Sequence, residues 1–444
     1  MKIENPVERQ QDLANFLESR GYQYGARSAD NLLLLQLHFP DEILSRILIN
    51  SLVTPSPDLA LNAFERLAGV MLPDDLAKIS RREKCLSQFI LLCGSSPFLV
   101  SLMFKNPGAI RQLFLEKAVE VPKTMEDMLV ALRSRVDGNT DFNGLLRILR
   151  EFKRFEILRI AARDLCGISP LEEVTGELSS LASASLQLAY EVCRNCLTRE
   201  HGIPVMQTDC GSQEAEMAVI GMGKLGGREL NFSSDIDIIY FYESDDGETA
   251  GVKSDSGAVN GIVSLHTFFS KLGGMISKAL SQVTEDGFVF RVDLGLRPEG
   301  KSGDIAVSLR SAEIYYESWG QSWERTAMLK ARPVAGSLEL GERLLSMLKP
   351  FVYRKFLDYS LIEDMKNMKQ KIDASLTRSM ERETNLKLGR GGIREIEFFI
   401  QALQLVYSGK NPHLRDRNSL KALDALAPKS SAHFVDFKGE SIGW

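Results

Sequence analysis

Apolar residues recur at intervals of three and four along the first 200 residues, which is the spacing of one buried helix face. Leu145, Leu149 and Phe152 are one example. The basic residues on the other side of that helix are expected in solvent: Arg147, Arg150, Lys153 and Arg154. Prolines interrupt the pattern, because proline lacks the amide hydrogen that a continuing helix needs. The sequence therefore predicts a helical domain over residues 1–204.

The pattern changes near residue 216, where short apolar runs bounded by glycine replace the helical spacing. Residues 217–220 and 235–241 predict two strands, because they are short, apolar and rich in β-branched or aromatic residues. Helical spacing returns over 262–281, and Gly287 precedes a third predicted strand over 288–296. A mixture of strand, strand, helix and strand is typical of an α+β domain, which we place at 205–335.

We therefore expect a predominantly helical α+β chain, whose sheet domain is flanked by the N-terminal helical domain and a C-terminal helical bundle over 336–427. Residues 428–444 form a polar tail of little periodicity. The chain has 444 residues, 44% of them hydrophobic, and a formal net charge of −5. This composition is typical of a globular protein and argues against general nucleic-acid binding. The N-terminus lacks a signal peptide, so we expect a cytoplasmic protein with neither a nucleic-acid nor a membrane partner.

A glycine-rich segment, residues 221–227, stands between the first two predicted strands. Gly221, Gly223 and Gly226 satisfy the spacing of a dinucleotide-binding fingerprint, but that motif needs a helix to follow, and here a strand follows within ten residues. The segment also lacks the spacing of a phosphate-binding P-loop. A glycine loop that lets backbone amides approach a phosphate fits better.

Three aspartates follow this loop. Asp235 and Asp237 are two residues apart, so both point to the same side of a strand, and Asp293 lies on the outward face of the third predicted strand. Neighbouring carboxylates repel each other unless a cation lies between them, and oxygen ligands suit Mg²⁺. Arg291 and Arg297 flank Asp293 and could hold phosphoryl oxygens. This set indicates metal-assisted displacement at phosphorus.

Residues 221–237, which read GMGKLGGRELNFSSDID, resemble the glutamate–ammonia ligase (glutamine synthetase) adenylyltransferase family, part of the nucleotidyltransferase superfamily related to DNA polymerase beta. Further similar blocks begin at Arg159, Arg291, Trp323, Lys330 and Gly391. The resemblance implies that Asp235, Asp237 and Asp293 are catalytic and hold Mg²⁺ or Mn²⁺. It also implies a set of nucleotide- or phosphate-binding residues, namely Gly223, Lys224, Gly226, Ser234, Arg291 and Arg297.

Members of this family carry two nucleotidyltransferase domains, and the order of blocks here is similar to that of the N-terminal one. The resemblance therefore implies phosphorolytic removal of AMP from an adenylyl-tyrosine of glutamine synthetase, giving ADP. It also implies the PII signalling protein, ATP or ADP, phosphate and the effector glutamine as partners. Two alternatives stay open: ATP-dependent adenylyl attachment, or a non-catalytic module that senses glutamine or PII. Gly295 departs from the family pattern, which usually has arginine there.

Overall fold

A computed structural model describes residues 6–208, 211–254, 257–354, 386–387 and 392–433. The chain divides into two compact units. The first comprises Met1–Thr124 and Glu151–Glu177, and the second comprises Met125–Arg150 and Leu178–Trp444. The described part is mostly helical with small mixed sheets, so the predicted α+β class is confirmed. The predicted domain boundaries near 204, 335 and 427 stay predictions.

Helices follow one another through the N-terminal 200 residues, as the apolar spacing predicts. They are α1 Pro6–Ser19, α2 Gly25–Gln36, α3 Asp41–Leu52, α4 Pro57–Ala68, α5 Pro73–Arg81, α6 Glu83–Ser95, α7 Pro97–Lys105, α8 Gly108–Phe114, α9 Met125–Arg133, α10 Phe142–Leu165 and α11 Leu171–His201. Proline occupies the first turn of several of them, where its missing amide hydrogen costs nothing. Ser56 caps α4 by accepting the Leu59 N–H at 3.4 Å.

The first unit contains a network of buried charged residues. Arg159, Arg163 and Glu177 are all nearly inaccessible to solvent. Glu177 accepts hydrogen bonds from Arg159 Nη2 at 2.5 Å and Arg163 Nε at 3.0 Å. Arg159 also donates to Glu156 at 2.7 Å, and the backbone N–H of Lys123 donates to Glu177 at 2.8 Å. Buried charges are tolerated when they are paired and hydrogen-bonded in this way.

The second unit contains a five-stranded mixed sheet. Its strands are β3 Met217–Gly221, β4 Ile236–Tyr242, β8 Val292–Asp293, β9 Ala306–Ser308 and β10 Arg332–Gly336. β3 runs antiparallel to both β10 and β4, whereas β8 and β9 pair with β4 in parallel. A three-stranded sheet consists of β1 Pro204–Thr208, β2 Gly211–Glu214 and β5 Gly247–Thr249. A two-stranded sheet consists of β6 Val252–Lys253 and β7 Val259–Asn260.

Both faces of β4 are covered, because every residue from Ile238 to Tyr242 is buried. On one face Ile239 and Phe241 join a hydrophobic core with residues such as Tyr316 and Leu344. On the other face Tyr240 donates or accepts a hydrogen bond with Ser277 of helix α13, Leu265–Ser281. Asp237 is the only residue of β4 that is partly exposed, so this end of the strand opens to solvent.

The third predicted strand, 288–296, is wrong in its extent, since only Val292–Asp293 pairs with the sheet. The backbone N–H groups of Val289 and Phe290 donate to the Leu280 carbonyl instead. On the other side the chain turns, because Asp293 Oδ1 accepts the Gly295 N–H at 2.7 Å. The predicted strand therefore includes, on both sides of Val292–Asp293, residues that do not pair with the sheet.

The helical spacing predicts that Arg150 lies in solvent, but this prediction is wrong, because Arg150 is only 1% exposed. Its guanidinium donates to the carbonyls of Leu146 at 2.8 Å, Ala279 at 3.2 Å and Gly287 at 2.9 Å, and to that of Gln282. The Leu146 carbonyl is one turn back in α10, whereas the other three lie at the end of α13 and in the following turn, where backbone acceptors lack helical partners. A contact across more than 120 residues is invisible to local periodicity.

The C-terminal part is helical again, as predicted, with α14 Leu309–Ser318, α15 Ser322–Met328, α16 Leu338–Met347, α17 Lys349–Val352 and two further helices, Ile393–Tyr407 and Ser419–His433. Part of the predicted bundle, 355–385 and 388–391, and the tail from 434 lie outside the described residues. Among the described residues no single helix is long and apolar enough to cross a membrane. The pair α6 and α7 together reaches that length and composition but is bent by 116°.

Candidate active site

The parallel pair β4 and β8 brings two of the predicted carboxylates side by side. Ile236 is in register with Val292, and Asp237 is in register with Asp293. Asp235 comes one residue before β4. Asp237 is half-buried, whereas Asp235 and Asp293 are exposed. The structure thus gathers the three predicted aspartates at one end of the sheet, where β4 begins.

The glycine loop passes directly over Asp237. Gly223 begins the short helix α12, Gly223–Gly226, and has a positive φ of +50°. A Cβ at this position would lie 2.8 Å from Asp237 Oδ2, so a side chain would collide with the carboxylate. The Met222 N–H donates to the Asp237 carbonyl at 2.8 Å, which joins the loop to β4. Lys224 follows immediately and is half-buried.

The charges around Asp237 favour a cation. Burial and, to a smaller extent, the neighbouring carboxylates Asp293 and Asp235 together raise the pKa of Asp237 to about 6, against the opposing charge of Lys387. A carboxylate in such surroundings resists ionisation unless positive charge is supplied. All three side chains offer oxygen donors, which is the donor type that Mg²⁺ and Mn²⁺ take. The residues therefore fit a divalent cation chemically.

The three carboxylates are not assembled as a metal centre in this conformation. Among the described residues, no group of three or more His, Cys, Asp or Glu side chains converges closely enough to hold an ion. Asp235 pairs with Arg291, which also donates to the Ser233 carbonyl at 2.6 Å. Asp293 is engaged by the Gly295 N–H. A cation would therefore have to draw two carboxylates away from partners within the protein.

Gly295, the departure from the family pattern, affects the orientation of Asp293. A Cβ at position 295 would lie 2.9 Å from Asp293 Oδ1, the same oxygen that accepts the Gly295 N–H. That distance is shorter than ordinary van der Waals contact. The orientation in which the Asp293 carboxylate accepts the Gly295 N–H therefore depends on glycine at position 295.

The remaining predicted phosphate ligands have different surroundings. Arg297 donates to three backbone carbonyls, those of Leu294 at 2.9 Å, Gly303 at 3.0 Å and Lys301 at 3.1 Å. Its guanidinium thus holds the loop after β8 together. Ser234 is half-buried beside Asp235, and its N–H donates to the Asn231 carbonyl at 3.3 Å. Phosphate contacts by these residues stay a prediction.

A support behind the glycine loop was not foreseen from the sequence. Arg332 Nε and Nη2 donate to the carbonyls of Gly226 at 3.1 Å and Leu225 at 3.0 Å. The buried Lys330 Nζ lies 2.8 Å from Glu229 Oε1, and 3.3 Å from Glu397 Oε1. The sequence blocks similar to the family include both residues. Only the fold shows that Arg332 binds the carbonyls of the glycine loop and that Lys330 pairs with Glu229 just after it.

The Trp323 block is likewise structural. Glu324 and Arg325 are buried, while Trp323 is 39% exposed. Glu324 accepts from the Tyr315 hydroxyl at 3.0 Å and the Gln321 N–H at 2.8 Å. Burial raises the pKa of Glu324. The block therefore joins helices α14 and α15.

Gly226→Ala is expected to destabilise the protein by about 1–3 kcal/mol, because a Cβ there would lie 1.9 Å from the Lys330 carbonyl and the backbone would have to move. Urea denaturation followed by circular dichroism measures the change. Gly274→Ala in helix α13 is the matched control, since nothing lies within 4 Å of its added Cβ. Equal stability of the two variants would contradict the close approach of α12 to Lys330.

Comparison with known proteins identifies relatives of this chain. Residues 86–347 match the family model described as glutamate-ammonia ligase adenylyltransferase, and residues 365–434 match one described as GlnD PII-uridylyltransferase. Similar curated proteins are each named bifunctional glutamine synthetase adenylyltransferase/adenylyl-removing enzyme. One from Pseudomonas aeruginosa is 40% identical over 344 residues, covering 78% of this chain and 34% of its own length. One from Shewanella oneidensis is 38% identical over 333 residues, covering 75% and 33%.

The chain spans about a third of the length of the curated relatives that it matches. The family model alone, by contrast, covers more than half of the chain and includes the glycine loop, all three aspartates and Arg332. The sheet, the loop and the carboxylates therefore lie within the matched region. This chain belongs to the glutamate-ammonia ligase adenylyltransferase family.

Proposed function

We propose that this chain is a metal-dependent nucleotidyltransferase unit that removes AMP from adenylylated glutamine synthetase by phosphorolysis in the cytoplasm. The observation that carries the proposal is the register of Asp237 against Asp293 directly beneath the glycine loop. The relatives' names supply the substrate protein. The direction rests on the order of the sequence blocks, which is similar to that of the family's N-terminal half.

In the proposed reaction an oxygen of inorganic phosphate forms a bond to the α-phosphorus of adenylyl-tyrosine. The bond from that phosphorus to the tyrosine oxygen breaks, ADP leaves, and the tyrosine oxygen takes up a proton. Mg²⁺ or Mn²⁺ held by Asp235, Asp237 and Asp293 would offset negative charge on the phosphoryl oxygens. Gly223 allows the loop backbone to lie close to those oxygens, and Lys224 adds a positive charge.

The direction is tested with the purified chain and two substrates. With adenylylated glutamine synthetase, phosphate and Mg²⁺, we expect ADP and unmodified synthetase as products. With unmodified synthetase and labelled ATP, we expect no label on the protein; labelling would favour the alternative of adenylyl attachment. Asp293→Asn is expected to lose the ADP-forming activity while keeping its circular dichroism spectrum. Full activity of Asp293→Asn would overturn the proposed site.

PII and glutamine are proposed as regulators rather than substrates. The match of residues 365–434 to a PII-uridylyltransferase model supports this, although most of that range lies outside the described residues. Adding purified PII, with and without glutamine, to the ADP-forming assay tests it. A rate that responds to neither would remove both from the proposal.

Arg291→Gln is expected to increase the affinity for Mn²⁺ by several-fold, because the arginine competes with the ion for the Asp235 carboxylate. Calorimetric titration of Mn²⁺ into the full chain measures the affinity. Arg310→Gln is the matched control, since Arg310 is exposed on α14 and has no ion-pair partner among the described residues. An unchanged or weaker Mn²⁺ affinity in Arg291→Gln would show that the Arg291–Asp235 pair does not oppose metal binding.

A further inference from the structure

A cavity of about 240 Å³ lies in the second unit, between α15, α16, α17 and the segment that precedes the last described helix. Its floor is apolar and consists of buried side chains, among them Met328, Leu348 and Val352. None of the predicted catalytic or phosphate-binding residues lines it. The cavity is therefore distinct from the carboxylate site, and an apolar floor of this size suits the body of a small organic molecule.

The rim of the cavity is strongly basic. Of the described residues, three basic ones line it, Lys349, Arg415 and Arg417, together with a single acidic one, Glu342. Among the described residues, no ion-pair partner faces Arg417 or Lys349. Arg415 donates to the backbone carbonyls of Ser408 at 2.9 Å and Gly409 at 3.3 Å. The described residues of the rim thus carry an excess of two positive charges, which favours an anionic ligand.

One wall of the cavity is already rigid. The Arg415 guanidinium stacks over the Tyr353 ring, with 4.3 Å between the guanidinium carbon and the ring centroid. Such a pair offers a flat face and a fixed set of donors, because the stacked arginine loses little further freedom when it binds an anion. Preorganised groups of this kind reduce the entropy cost of binding.

The positive charge continues toward the glycine loop. Burial and, to a smaller extent, the charges of Arg228 and Arg417 together lower the pKa of Arg332 to about 10. Arg228 and Arg332 likewise have no carboxylate partner among the described residues. Since Arg332 holds the carbonyls of Leu225 and Gly226, an anion near Arg417 would relieve repulsion at the support of the loop.

We propose that this cavity is a second ligand site, which binds a small molecule carrying a phosphate or carboxylate group on a flat apolar body. The anionic group would contact Arg417 and Lys349, and the apolar body would pack between the floor and the Tyr353–Arg415 wall. The site requires no metal ion and no turnover. Its test is therefore independent of the proposed phosphorolysis.

The test is calorimetric titration of the full chain in the presence of a chelator with phenyl phosphate, benzoate and benzyl alcohol. We expect saturable binding of at least one of the two anions, with a dissociation constant below about 1 mM, and no binding of the neutral alcohol. Tighter binding of phenyl phosphate identifies a phosphorylated ligand, and tighter binding of benzoate identifies a carboxylate.

Two variants from different elements locate the binding. Arg417→Gln and Lys349→Gln are each expected to weaken it at least about tenfold, whereas the exposed Arg310→Gln leaves it unchanged. Circular dichroism checks that each variant folds, and either folded variant suffices for the test. The proposal is overturned if neither anion binds up to about 10 mM, if the alcohol binds equally well, or if the folded variants bind as the wild type does.

Discussion

Asp237→Asn is expected to abolish AMP removal and, at the same time, to make the metal-free protein more stable. The activity loss should exceed about 100-fold, since we propose Asp237 as a direct metal ligand, and loss of such a ligand costs more than the 10–100-fold typical of outer-shell residues. The stability gain follows from electrostatics, because a neutral amide removes the charge that burial and two neighbouring carboxylates disfavour. Stability would thus increase as function is lost.

The stability gain has a defined pH dependence. The pKa of Asp237 is raised in the folded protein to about 6, so the folded state holds this proton more tightly than the unfolded chain does. Ionisation of Asp237 therefore reduces the free energy of unfolding as the pH rises from about 4 through 6. The amide of Asp237→Asn does not ionise, so this variant does not lose free energy of unfolding over that pH range. We expect a gain of about 1–2 kcal/mol near pH 8 and almost none near pH 4.

Urea denaturation at both pH values, with a chelator and then with Mn²⁺, measures these effects. Mn²⁺ should stabilise the wild type and leave Asp237→Asn unaffected. Asp246→Asn is the matched control, because Asp246 is exposed in a loop away from the sheet end. If Asp237→Asn were less stable than the wild type near pH 8, the carboxylates would not repel each other as the geometry implies.

Glu177→Ala is expected to destabilise the first unit by about 3–5 kcal/mol, the usual cost of removing one partner from a buried ion pair. The substitution leaves the donors of Arg159 and Arg163 without their shared acceptor, and both guanidiniums are almost fully buried. The backbone N–H of Lys123 loses its acceptor as well. An unsatisfied buried donor costs far more than a lost surface contact.

Chemical denaturation monitored by circular dichroism measures this change. Glu172→Ala is the matched control, since Glu172 lies on the same helix α11 but is exposed. We expect the control to stay within about 0.5 kcal/mol of the wild type. A loss below about 1 kcal/mol in Glu177→Ala would mean that Arg159 and Arg163 find other acceptors or water.

Local patterns predicted the elements that carry the site. The apolar runs at 217–220 and 235–241 became β3 and β4 within one residue at each end, because a buried strand must be apolar along its length. Alternation placed Asp235 and Asp237 on one side, and the motif predicted Asp293 as their partner. Alternation failed over 288–296, where Asp293 and Gly295 form a turn that ends the strand.

The amino-acid sequence was sufficient for the helical segments, for the strands β3 and β4 and for the position of the glycine loop, and it predicted the three carboxylates, since these depend on residue type and short-range spacing. The fold decided which charged groups meet: Asp237 with Asp293, Asp235 with Arg291, Lys330 with Glu229, and Arg150 with the end of α13. These pairs are separated by 56 to more than 100 positions. Their contacts follow from chain crossings and burial, which no local periodicity encodes.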